Sequence, residues 1–130
     1  MIKLNNFFKI IFLLLFTVLP VDFLLSDTDR YKVTKYRLLS FKEALFLFKI
    51  DVKRYPTSLE GLNSLIINSG NIKNWNGPYI NNNFLPHDPW GNIYIYKYVG
   101  SSDGVKYIIY SFGKNKLNEY GFGDDILIIK

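Results

Sequence analysis

The sequence predicts an α+β fold, with one long N-terminal helix, a short second helix and a small three-stranded antiparallel sheet. Three observations carry this. Leu38, Phe41, Leu45, Phe48 and Val52 recur at steps of three and four, which lines them along one helical face. All nine glycines and four of the five prolines lie after Arg54, so turn punctuation begins where that periodicity ends. Three short runs rich in Ile and Tyr, 93–98, 107–111 and 126–129, then read as strands.

Taken in order, residues 1–25 form an apolar segment. Lys3 and Lys9 precede 10–21, a stretch free of charge, and Phe23 to Leu25 extend it past Asp22. This is short for a spanning helix, which needs about 20 apolar residues. A retained membrane anchor and a cleaved secretory signal both fit, with a buried soluble helix as a third reading. Leu24-Leu25-Ser26-Asp27 lacks the small-residue pair that cleavage needs. Lysines before the span and a large domain after it predict a cytoplasmic N-terminus and an exported head.

The head, 26–130, opens with a stem helix over about 27–54. Ser26 to Asp29 has N-cap chemistry, although a kink at Pro20 within one continuous helix is the alternative. The apolar stripe predicts packing on the chain's own sheet rather than a dimeric coiled coil, and Lys35, Lys42, Lys49 and Lys53 fall off it as a solvated face. Tyr55-Pro56 ends the helix, because Pro pushes its predecessor out of the α region. In the segment 55–92, Thr57-Ser58-Leu59-Glu60 is a capping box that predicts a short helix through about Ile67. Trp75 and Tyr79 pin the following Asn- and Gly-rich loop to the body. In Trp75-x-Gly77-Pro78-Tyr79, Gly permits close approach and Pro fixes the exit direction. Asp88-Pro89 and Gly91-Asn92 hold Trp90 at a corner before the sheet, 93–130. Gly100 to Gly104 is the hairpin loop between the first two strands.

Composition narrows the function. With 130 residues, no cysteine and one histidine, thiolate metal sites, disulfides, a Cys nucleophile and two-His mechanisms are excluded. The formal charge of +5 lies wholly in residues 1–54, leaving 55–130 neutral. A neutral head argues against a nucleic-acid partner. No phosphate-cradling loop, dinucleotide fingerprint or nucleophile elbow is present, so no enzyme activity is expected.

Several ordered blocks then resemble one family. They are Ala44-Leu45 with Lys49-x-Asp51, Tyr55-Pro56-Thr57, Gly61-Leu62-x-x-Leu65 and Trp75-x-Gly77-Pro78-Tyr79. Leu85-Pro86-x-Asp88-Pro89-Trp90-Gly91-Asn92 with Tyr94, Ser111-Phe112-Gly113 and Asp124-Asp125-Ile126 follow. The chain resembles the type II secretion system protein G family, the major pseudopilins, from about residue 40 onward. The resemblance implies a pilin-like fold and self-assembly into a filament. It also implies work with other pseudopilins, an inner-membrane secretion platform and an outer-membrane secretin. The placement implied is a single pass of the inner membrane with the head in the periplasm, or in the equivalent compartment of an organelle. A type IV pilin-like or DNA-uptake protein is the alternative. Prepilins carry a basic leader ending in Gly, then Phe and a Thr-x-x-Glu start, which do not appear here. An upstream leader or a divergent member inserted without prepilin peptidase are the two readings.

The last loop offers Asn115, Asn118, Glu119, Asp124 and Asp125 among glycines, hard oxygen donors of the kind that suit Ca²⁺. The family binds calcium in the corresponding loop. The resemblance implies Asp124 and Asp125 as side-chain ligands, the Phe112 and Leu117 carbonyls as backbone ligands, and Asn115 where the family has an aspartate. Asn115 brings one charge fewer and predicts weaker binding. An ion-free polar loop is the competing expectation.

Overall fold

The structure, a computed structural model, describes residues 25–100 and 104–130. The anchor reading of 1–25, with Pro20, falls outside the described residues except for Leu25, as does the tip of the 100–104 hairpin loop.

The stem, α1, runs Asp27–Val52. Ser26 is extended, and its hydroxyl accepts from the Asp29 N–H at 3.2 Å, so it caps a helix that begins at Asp27. Asp27 and Asp29 place negative charge on the first turn, where the helix dipole favours it. The predicted end near 54 comes two residues early. Lys53 turns left-handed (φ 67°), its backbone N–H closes on the Lys49 carbonyl at 2.9 Å, and its Nζ donates to the Ile50 carbonyl. A lysine takes the role usually given to glycine, which is why sequence periodicity missed the stop.

Gly61 accounts for a second difference. Thr57 and Glu60 form the capping box reciprocally: the Glu60 N–H donates to Thr57 Oγ1 at 3.2 Å, and the Thr57 N–H donates to Glu60 Oε2 at 2.7 Å. The helix does not propagate through Ile67, because Gly61 is left-handed (φ 57°). One turn closes at Gly61, and only a 3₁₀ turn, Leu62–Leu65, follows. Arg54 grips the same Glu60 carboxylate with two N–H groups at 2.6 and 2.7 Å.

That grip, with the Thr57 N–H, holds the Glu60 pKa at about 2 against an ordinary 4.5. A depressed acid stabilises the fold above its unfolded pKa and loses that contribution as pH falls through the folded value. Glu60→Gln should therefore cost about 1–2 kcal/mol near neutral pH, a figure already reduced for the half-exposed Arg54. The gap to the parent should close between pH 4.5 and about 2. Urea unfolding of both proteins across that range tests this; a gap that stays constant with pH would refute it.

The sheet is a meander in the order β1 (Ile95–Tyr98), β2 (Tyr107–Ser111) and β3 (Ile126–Ile129), antiparallel throughout. Ile95 faces Tyr110, and Ser111 faces Ile126. The first strand starts at Ile95 rather than at 93, because Asn92 is drawn into a turn around Asp88. The outer edge of β1 is covered by the 56–58 turn. Tyr98 N–H donates to Ser58 Oγ, and Tyr96 OH donates to the Pro56 carbonyl.

α1 packs on β2 and β3. Leu38, Phe41, Ala44, Leu45 and Phe48 enter the core with Leu65, Tyr107, Ile109 and Ile126. The predicted stripe is thus spent on the chain's own head. Trp75 and Tyr79 pin their loop as expected: Trp75 Nε1 donates to the Ser64 carbonyl at 2.7 Å, and Tyr79 OH donates to Asp51 at 3.0 Å. A Cβ on Gly77 would lie 2.5 Å from the Trp75 ring, so only glycine allows that approach.

Candidate functional site

The site grows from the corner before β1. Asp88 is 4% exposed, and its carboxylate accepts from Trp90 N–H (3.0 Å), Asn92 N–H (2.7 Å), Asn92 Nδ2 (2.8 Å) and the Ser111 hydroxyl. Ser111 Oγ in turn accepts from Gly113 N–H, and Asn92 Nδ2 also donates to the Gly113 carbonyl at 2.8 Å. One buried carboxylate therefore ties the 85–92 corner to the end of β2 and the start of the loop 112–126. At the other end of that loop, a Cβ on Gly113 would lie 2.1 Å from the Asp124 carbonyl oxygen. The loop is pinched shut at its base.

Within the loop, Asp125 Oδ2 accepts from Glu119 N–H (3.1 Å) and Gly121 N–H (2.7 Å). Its Oδ1 is buried with no hydrogen-bond partner. Glu119 Oε2 accepts from Asn115 Nδ2 (2.9 Å) and Asp124 N–H (2.8 Å), which hold the Glu119 carboxyl below its usual range, Asn115 contributing most. Lys114 meets Asp27 at 2.6 Å, tying the loop to the first turn of α1. A cleft of about 340 Å³ opens there, lined by Asp27, Tyr31, Trp90, Lys114, Asp124 and Asp125.

The expected ligand residues are only partly assembled. Asp124 and Asp125 share the wall of this cleft. Asn115 does not face it freely: its amide oxygen accepts from Leu117 N–H at 2.8 Å and its nitrogen serves Glu119. Leu117 lies exposed, and the Phe112 ring packs 6.0 Å from Tyr110. Among the described residues, no three His, Cys, Asp or Glu side chains lie close enough to hold a metal ion together. Glu119 is the organising residue missing from the expected set. Its position two residues before Gly121 and four after Asn115 was a signal, but one shared by any acidic glycine-rich turn.

Donor chemistry nevertheless favours a hard cation. The buried Asp125 Oδ1 is an acceptor with no described donor to satisfy it, and an unpaired carboxylate oxygen is costly to bury. A loop rich in carbonyls and carboxylates matches the oxygen preference of Ca²⁺.

The family model of type II secretion system protein G matches residues 25–128. The type II secretion system core protein G of Pseudomonas aeruginosa is 34% identical over 110 residues, covering 80% of this chain and 75% of that one. The core protein G of Klebsiella pneumoniae is 37% identical over 73 residues, 53% of this chain and 50% of that protein. The crystal structure of the major pseudopilin from the type 2 secretion system of enterohaemorrhagic Escherichia coli superposes with a TM-score of 0.61 at 27% identity. It covers 78% of this chain and 87% of its own. The overall fold is therefore shared with that structure, and this chain belongs to the type II secretion system protein G family.

Proposed function

We propose that this chain is the major pseudopilin subunit of a type II secretion pseudopilus, a structural rather than catalytic part. The observation that carries this reading is that α1 is apolar on two opposite faces. One face is buried in the head, while Tyr36, Leu39, Phe46, Leu47 and Ile50 remain exposed on the other. A helix of that kind is suited to packing against further helices once its own head is complete. On this reading, residues 1–25 anchor the subunit in the inner membrane and form the filament core, with the head on the periplasmic side. Among the described residues, no helix is long and apolar enough to cross a membrane; this reading assigns the anchor to 1–25 on the strength of its apolar sequence, free of charge over 10–21. Other pseudopilins and the inner-membrane platform would supply assembly, and the filament would push folded proteins toward the outer-membrane secretin.

Removing the chain from its host should stop export of folded proteins, and the full chain should restore it. The variant Leu39→Asp with Leu47→Asp should fail to restore export while its head melts at the parental temperature. Full export by that variant would overturn the reading.

Calcium belongs to the same proposal. Asp125 and Asp124 would hold the ion, with the Phe112 and Leu117 carbonyls beside them and Asn115 joining only after releasing Leu117 N–H. The ion would supply charge compensation to the buried Asp125 oxygen and stiffen the loop before β3. Saturating Ca²⁺ at about 100 times its dissociation constant should stabilise the head by about 2.7 kcal/mol. Asp125→Asn should abolish that response. A melting midpoint unmoved by millimolar Ca²⁺ would remove calcium and leave the assembly reading intact.

A further inference from the structure

The loop 112–126 is built inside out. Leu117, Tyr120 and Phe122 are 62%, 76% and 77% exposed at its tip, while its polar groups turn inward. Asn115 accepts from Leu117 N–H and Asn118 from Tyr120 N–H. Asp125 accepts from Glu119 and Gly121 N–H. Glu119 accepts from Phe122 N–H at its carbonyl and from Asp124 N–H at its carboxylate. These backbone donors are therefore satisfied within the loop. A loop with apolar side chains outside and its own N–H groups paired leaves water cheaply, whereas an ordinary surface loop would strand those donors. The charges around the tip balance, Lys114 and Lys116 against Glu119 and Asp124. Its chemistry is that of apolar burial rather than of attraction to an ion or a charged surface.

The place of this tip in the fold identifies its neighbour. Lys114 meets Asp27 in the first turn of α1 at 2.6 Å, and Gly123 and Asp124 share a cleft with Asp27 and Tyr31. Leu117, Tyr120 and Phe122 each lie within three residues of Lys114 or Gly123, a span of about 11 Å even at full extension. The apolar segment 1–25 ends two residues before Asp27. Arg30 donates to the Leu25 carbonyl at 3.3 Å and to the Pro89 carbonyl at 2.9 Å, so the end of that segment is tied to the head. The tip therefore belongs to the end of the head from which the apolar segment departs. The opposite end of α1 is about 39 Å away along the 26-residue helix.

We infer that Leu117, Tyr120 and Phe122 of the unassembled subunit seat in the lipid–water interface beside the chain's own anchor. This rests on the anchor reading of 1–25 above and adds a second contact with the same membrane. Tyr120 suits the depth of the headgroups, with its ring toward the acyl boundary and its hydroxyl in water, while Leu117 and Phe122 bury apolar surface. The tether holds the tip at high effective concentration over the bilayer, so a weak apolar contact is enough to populate the seated state. The hydrogen-bonded turn presents the three side chains already ordered, which lowers the cost of seating them. Interfacial anchors set tilt and rotation where a single apolar span leaves them free, so the tip fixes how the head stands on the membrane.

The chain has no cysteine, so a single introduced one carries an environment-sensitive dye alone. The full chain is placed in phosphatidylcholine–phosphatidylethanolamine vesicles containing lipids with a nitroxide quencher near the headgroup. Dye at Phe122→Cys should be quenched about threefold more than dye at Leu59→Cys, which is 98% exposed beyond the far end of α1. Dye at Leu117→Cys should behave like that at Phe122→Cys. Adding Tyr120→Ser and Phe122→Ser to the Leu117→Cys chain should remove most of the quenching without moving the melting midpoint, because both rings are exposed. Dye at Leu14→Cys separates the outcomes. If it is quenched and dye at Phe122→Cys is not, this inference falls and the anchor reading stands. If neither is quenched, both fall. Quenching at Phe122→Cys that needs an anionic lipid, or vanishes in about 1 M salt, would overturn the inference in favour of electrostatic adsorption. A blue-shifted dye at Phe122→Cys that the lipid quencher does not reach would also overturn it, by placing protein on the tip.

Discussion

Asp88→Ala should cost the head on the order of 3–5 kcal/mol. The carboxylate is almost fully buried, and all four donors that reach it are neutral: two backbone N–H groups, one amide and one hydroxyl. Alanine would leave those donors facing one another across a void. The Ser111 hydroxyl and the Asn92 amide also position Gly113, so the damage should spread into the 112–126 loop rather than stay at the corner. Asp88→Asn keeps the volume but aims an amide donor at existing donors, and should recover only part of the loss, leaving about 2 kcal/mol. Urea unfolding followed by tryptophan fluorescence reads both variants, with Trp90 inside the affected turn. A cost below about 1 kcal/mol for Asp88→Ala would show that the corner stands without its carboxylate.

This node also marks where sequence reading succeeds and where it stops. Asp88-Pro89 and Gly91-Asn92 announced a turn around Trp90, because turn chemistry is local. The bond from Ser111 to Asp88 spans 23 residues, and no local pattern encodes it. The same division holds elsewhere. The stripe from Leu38 to Val52, the Thr57–Glu60 capping box and β2 and β3 follow from periodicity and spacing, so they were legible. Gly61 and Lys53 ended helices by turning left-handed, which sequence permits for glycine and gives no reason to expect for lysine. In the candidate site, Asp124 and Asp125 were visible as acids, but Glu119 became central only through backbone N–H groups aimed by the positive φ of Tyr120 and its glycine neighbours. Asn115 illustrates the converse: its type suits a ligand, yet a turn to Leu117 uses its oxygen.

Gly113→Ala should be nearly as damaging as the loss of Asp88, for a different reason. Gly113 has φ 64°, and its Cβ would sit 2.1 Å from the Asp124 carbonyl oxygen, a backbone atom that cannot swing aside. The left-handed conformation alone costs alanine about 1 kcal/mol, and relieving the overlap means prising apart the base of the loop. A total of about 3 kcal/mol is expected, which lowers the melting temperature of a domain this size by roughly 12–20 °C. Gly91→Ala is the matched control. Gly91 has φ 89° but open space where its Cβ would go, so it should show only the backbone cost of about 1 kcal/mol. The difference between the two variants isolates the pinch. Because the pinch sets Asp124 and Asp125 against Trp90 and the first turn of α1, Gly113→Ala should also lose any calcium response that Gly91→Ala retains. Equal melting temperatures for the two variants would mean that the loop base yields freely. The ordered loop, and the acids it presents, would then need another source of rigidity.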